Sequence, residues 1–241
     1  MQLQTGEWVI LFSILAMVLF SVWEADKGKI ALFEGRKSKI RVYQEAMLFM
    51  WLPTFLLLAL LLFKSIDSKA LGVSWQGTMA NWVGIAVVCL VIGYFAYSLY
   101  SLYVSAEQRN AFRQALSDNY AWMIPYTRQE LLWFTLGLSL SAGLCEELLF
   151  RAFLIGVLSE QLGTLPSLLL SSAAFGICHC YQGWKNIIRT ALIGLLLGVV
   201  FIFTELLWVV VIIHTAVDAY GGLVGYMINK TEIDKPFKTT V

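Results

Sequence analysis

The 241-residue sequence is poor in charge and in histidine. Asp, Glu, Lys and Arg make up 14% of it, against about 25% in an ordinary soluble domain. Apolar residues make up 59%, and the mean hydropathy is +0.73. This balance excludes a disordered chain and an ordinary soluble globule. A formal net charge of +1 leaves no basic face for nucleic acid. The four cysteines, Cys89, Cys145, Cys178 and Cys180, lie in apolar runs and give no disulfide framework. Met1 to Glu7 holds no Lys or Arg, so the positive start of a cleaved signal peptide is lacking and the first apolar run is expected to be retained. No internal repeat or low-complexity tract is visible. What remains is an all-α, polytopic transmembrane helix bundle in contact with the lipid bilayer.

Seven apolar runs are long enough to consider as spans, with six to eight the range: Trp8–Trp23, Ala46–Phe63, Trp82–Val104, Leu131–Leu158, Leu165–Tyr181, Ile187–Phe203 and Leu206–Ile228. The fourth is too long for one perpendicular span, so a tilt or kink is expected. With the N-terminus outside, 14 of the 17 Lys and Arg fall in cytoplasmic loops and 2, Lys64 and Lys69, fall outside. That bias favours seven spans and a cytoplasmic C-terminus in a cell membrane. The segment Ser105–Glu130 is expected to hold an interfacial helix, and Glu34–Arg41 to be a solvated loop. Gly137, Gly143 and the pair Gly194 and Gly198 are candidate points of close helix approach.

An ionisable residue at membrane depth costs roughly 2.5–3.5 kcal/mol on insertion scales, and most of the runs avoid it. The fourth does not: it carries Glu146, Glu147 and Arg151. The seventh carries His214 and Asp218, and the fifth ends near His179, so both histidines of the protein lie in these helices. At 100° per residue Glu147 and Arg151 share a face, and Glu146 points elsewhere. One carboxylate is thus neutralised while its neighbour is free. Phe175 and His179 share a face, as do His214 and Asp218. Counted at 1.5 Å per residue, the four groups Glu146, His179, His214 and Asp218 lie roughly 12–21 Å from the outer helix ends, and three helices can present them to one cavity.

Glu146-Glu147-x-x-x-Arg151, Phe175-x-x-x-His179 and His214-x-x-x-Asp218, in this order on successive helices, resemble the three motifs of the CAAX-protease and bacteriocin-processing (CPBP, or Abi) family. The resemblance covers residues 131–228, which it makes the catalytic core. Residues 1–130 then supply three further spans, and 229–241 a short polar tail. It implies an intramembrane endopeptidase that hydrolyses a peptide bond of a membrane-associated or leader-bearing substrate. Glu146 with His179 would activate a water, and His214 would stabilise the oxyanion. Arg151 would orient Glu147, and Phe175 would fix the ring of His179. The family often has Asn where this chain has Asp218; an ionised Asp cannot donate to an oxyanion, so Asp218 either holds a proton or orients His214.

No cofactor is expected, since no His-Glu-x-x-His spacing is present. The alternative is a zinc ion on Glu146, His179 and His214. Cys178 and Cys180 diverge by about 200° on a helix and read as small apolar filler. Each motif taken singly is also explained by a buried ion pair or a hydrogen-bonded histidine. The competing functions are a transporter or proton-coupled channel and a non-catalytic scaffold or bacteriocin self-immunity protein. The short chain and its span count point to a bacterial cytoplasmic membrane.

Overall fold

A computed structural model describes residues 3–63, 71–115 and 122–233. Every regular element among them is helical. They are α1 (Thr5–Glu24), α2 (Lys27–Phe33), α3 (Lys39–Leu62), α4 (Met79–Val104), α5 (Ala106–Ala115), α6 (a continuous helical run, 128–162), α7 (Thr164–Cys178), α8 (Trp184–Thr204) and α9 (Leu207–Ile233). Five of these, α1, α3, α4, α8 and α9 as far as Asn229, are long and apolar enough to cross a membrane. Large apolar side chains such as Phe12, Leu19, Leu52, Phe55 and Leu90 are exposed on them, as expected where lipid is the solvent. The expected outside bases Lys64 and Lys69, and the tail bases Lys235 and Lys238, lie outside the described residues.

Helix α3 starts at Lys39, well before the expected Ala46, and the expected loop Glu34–Arg41 is partly helical. Polar chemistry extends it. The Ser38 hydroxyl accepts from the Arg41 N–H, which caps the helix. Lys39 Nζ donates to the carbonyl of Ile124 and the Tyr43 hydroxyl to that of Met123, both at 2.5 Å. Lys37 and Arg41 both grip Glu45. The segment from Trp122 to Ile124 is thereby strapped onto α3.

Helix α6 opens on a capping box, with Thr127 Oγ accepting from the Glu130 N–H and Glu130 Oε2 accepting back from the Thr127 N–H. Within its length lie two stretches of π-helix, Trp133–Ser139 and Glu147–Ile155, where the expectation was a tilt or kink. Every residue from Glu147 to Ile155 is buried. This part of α6 is the axis of the bundle: Ile10, Ile14 and Met17 of α1, Leu57 of α3, Phe175 of α7, Phe201 of α8 and Val210 of α9 share one apolar core with it. A helix buried all round needs apolar residues on every face, and here only Glu147 and Arg151 break that rule.

The last three helices are joined by short turns. Gly163 (φ 85°) leads into α7 and Gly183 (φ 94°) into α8, both in backbone conformations that side chains disfavour. Helix α7 ends at Cys178 rather than at the expected Tyr181, because His179 leaves helical geometry and Cys180–Gln182 form a 3₁₀ turn. A Cβ on Gly194 would lie 3.0 Å from Phe175 Cδ1, and one on Gly198 would overlap Leu168 Cδ1, so this pair sets the α7–α8 approach. Within the expected interfacial segment, α5 turns back onto its neighbours. Arg109 donates to the carbonyls of Leu102 and Tyr103 at the end of α4, and Phe112 packs on Leu102 and Val224.

Candidate active site

Glu146 ends an α-helical stretch of α6 and Glu147 begins the π-helical one; such π turns recur at functional sites. The two acids have different surroundings. Glu147 is fully buried, and its Oε1 accepts from Arg151 Nη1 at 2.8 Å and from His214 Nδ1 at 2.6 Å. Arg151, also fully buried, donates through Nη2 to the carbonyl of Gly194 at 3.2 Å and lies 4.3 Å over the Phe175 ring. Opening a buried pair of this kind by removing one partner leaves an uncompensated charge. Glu146 makes no bond to Arg151. Its Oε2 lies 3.7 Å from His214 Nε2, beyond hydrogen-bond reach, and has no hydrogen-bond partner among the described residues.

Histidine roles follow from what each nitrogen faces. His179 Nδ1 lies 2.8 Å from the carbonyl oxygen of Phe175. A carbonyl can only accept, so Nδ1 carries the proton and Nε2 of the neutral ring is left as an acceptor. His214 Nδ1 likewise donates to Glu147, while Nε2 faces Glu146 on one side and Asp218 Oδ2, at 3.6 Å, on the other. Phe175 is the wall common to both rings, with centroids 4.8 Å from His179 and 5.7 Å from His214. Three carboxylates thus surround one guanidinium and one imidazole ring. The cluster reaches zero net charge only when its carboxylates and the two imidazoles hold two further protons between them.

Glu146, His179 and Asp218 line a cavity of about 480 Å³; Glu147, Arg151 and His214 do not, His214 lying behind Glu146 and Asp218 with Nε2 toward both. The volume lies within the usual range for ligand sites. Apolar side chains of α1 and α3, among them Met17, Phe20, Phe49 and Met50, form one wall, Trp122 and Tyr181 contribute to it as well, and Glu24, Lys37 and Glu45 bring charge to it. The contribution of α1, α3 and Trp122 has no counterpart in the motifs. Only the cap at Ser38 hinted that α3 begins early, and nothing periodic marks Trp122.

Among the described residues no group of three His, Cys, Asp or Glu side chains is placed to hold a metal ion, and Glu146, His179 and His214 do not form one. Cys178 lines the cavity, while Cys180 Sγ contacts the Ser21 carbonyl at 3.5 Å.

The fold and the cluster together define a membrane-spanning helical protein with buried acids, imidazoles and one guanidinium bordering a cavity. Residues 128–220 match the family described as type II CAAX prenyl endopeptidase Rce1-like. The match starts at the first residue of α6 and runs just past Asp218, so it contains all three motifs. The CPBP resemblance, which is to a family of membrane proteases, holds over that segment, which is under half of the chain. No curated protein and no solved structure matches the chain.

Proposed function

We propose that the protein is an intramembrane endopeptidase in which Glu146 activates a water molecule against the carbonyl carbon of a bound peptide. The observation that carries this reading is the contrast between two adjacent acids: Glu147 is bound through Oε1 by Arg151 and His214 and does not line the cavity, whereas Glu146 lines it and accepts a hydrogen bond from neither of those bases. Glu146 takes one proton from the water, and His179 Nε2 accepts the other in a hydrogen bond and orients the attack. The resulting oxygen bonds to the peptide carbon and the carbonyl becomes an oxyanion. His214, as the imidazolium, donates to it from Nε2. Collapse of the intermediate breaks the C–N bond, and the proton held by Glu146 goes to the leaving nitrogen. Asp218 Oδ2, 3.6 Å from His214 Nε2, is a charge partner of the imidazolium, while the bond from Nδ1 to Glu147 holds the ring in position. Arg151 and Glu147 are positioning residues.

The substrate is a membrane-associated or leader-bearing peptide, a chemistry supported by the apolar wall that α1 and α3 lend to the cavity. Mass spectrometry of peptides from cells carrying the wild-type or the Glu146→Ala form tests the reading. An uncut precursor accumulating only in the variant is expected. Identical peptide profiles, together with a proton-linked flux lost on the same substitution, would replace the protease with a transporter.

A further inference from the structure

Four buried side-chain atoms among the described residues lack a hydrogen-bond partner. Three belong to the cluster already described: Glu146 Oε2, Glu147 Oε2 and Arg151 Nε. The fourth, Trp122 Nε1, lies outside the three motifs, yet its residue lines the same cavity. Trp122 is 8% exposed. An indole N–H can only donate, and a buried donor left without an acceptor is destabilising. A residue chosen only to fill space could be Phe or Leu at no such cost.

The surroundings hold the backbone beside this indole in place. The two residues that follow it, Met123 and Ile124, are bound through their carbonyls to Tyr43 and Lys39 of α3. The ring packs edge-on against Tyr181 at 6.3 Å between centroids, and Tyr181 lies 5.9 Å from His179. Trp122 is therefore two ring contacts from His179, a span of about four extended residues at most. A peptide whose scissile bond sits at Glu146 and His179 runs along the cavity wall to which Trp122 contributes; for the buried Nε1 to meet one of its carbonyls the ring must turn about χ2, a rotation that the backbone bonds of Met123 and Ile124 to α3 do not block.

Building on the proposed proteolysis, we infer that Trp122 is a substrate-binding residue whose indole N–H donates to a backbone carbonyl of the peptide a few residues from the cut. It fixes the register in which the chain meets Glu146. Its contribution is to binding and cut position, and the chemical step does not use it.

The test uses the full-length protein in phosphatidylcholine proteoliposomes, with a pool of N-palmitoylated random decapeptides read by mass spectrometry. Trp122→Phe keeps an aromatic ring and removes the donor. Replacement of Trp122 by benzothienylalanine exchanges N–H for sulfur at nearly constant volume and guards against a folding defect. Both are expected to raise KM about 5- to 10-fold, the worth of one net hydrogen bond. They should leave kcat within about twofold and spread the cuts over neighbouring bonds. An uncut peptide should also bind Glu146→Gln more tightly than Glu146→Gln combined with either change. Unaltered KM and cut positions in both variants would overturn the role of Trp122 and leave the protease standing. Absence of any cleavage that depends on Glu146 would overturn the proposed proteolysis and the Trp122 role with it.

Discussion

His214 Nδ1 and Glu147 Oε1 lie 2.6 Å apart and join α9 to α6 in the middle of the bundle. The same oxygen receives Arg151 Nη1 at 2.8 Å. One carboxylate oxygen thus ties together a guanidinium on its own helix and an imidazole on another, and sets the ring whose far nitrogen faces Glu146 and Asp218.

Arg151→Met should remove the cation from a fully buried pair and cost about 3–5 kcal/mol of stability. Glu147→Gln combined with Arg151→Met should recover much of that loss, because neither member of the pair is left charged without the other. Reversible unfolding in mixed detergent micelles measures both. A single substitution costing under about 1 kcal/mol would show that the pair is not a structural lock.

Gly143→Ala should be damaging for a reason of spacing. A Cβ there would overlap Thr215 Oγ1 and come within 3.0 Å of the Val211 carbonyl oxygen, on α9 beside His214. The expected cost is about 1–3 kcal/mol, with α9 pushed away from Glu147 and cleavage reduced. Gly93→Ala, where a Cβ meets nothing within 4 Å, is the control and should be neutral or slightly stabilising. Equal behaviour of the two would contradict the tight α6–α9 approach.

Phe175→Leu should lower kcat more than it raises KM. The ring carries the Arg151 guanidinium at 4.3 Å and walls both imidazoles. A desolvated contact of this type is worth up to about 2 kcal/mol. Steady-state kinetics on one cleaved peptide separates the two parameters; a pure KM effect would place Phe175 in substrate binding instead.

The parts of this arrangement that the sequence made legible are the local ones. Spacing of four residues on a helix places Glu147 with Arg151 and His214 with Asp218, and both contacts are present. The bond between His214 and Glu147 crosses 67 residues, and no periodicity announces it. The π turns of α6 were hidden too, since an all-apolar face reads alike at several helical periods. Lys39 looked like a topology-setting charge, yet it holds the Ile124 carbonyl on a distant segment. The family resemblance reached only the second half of the chain, so the wall contributed by α1 and α3 had no motif to mark it.

Chelation addresses the alternative of a zinc ion on Glu146, His179 and His214. Cleavage by the purified protein should survive prolonged treatment with 1,10-phenanthroline followed by buffer exchange. Loss of cleavage that zinc restores would require those residues to gather around an ion, and the assignment of Glu146 as the base would have to be given up.

The most direct measurement is the turnover of Glu146→Gln in lipid, set beside its affinity for the same peptide. The substitution removes the proton acceptor and keeps the shape of a side chain whose Oε2 holds no protein partner. A fall in kcat of at least about 100-fold is expected, within the range for loss of a general base, with peptide binding and thermal stability near those of the wild type. Cleavage within about threefold of the wild-type rate would contradict the account.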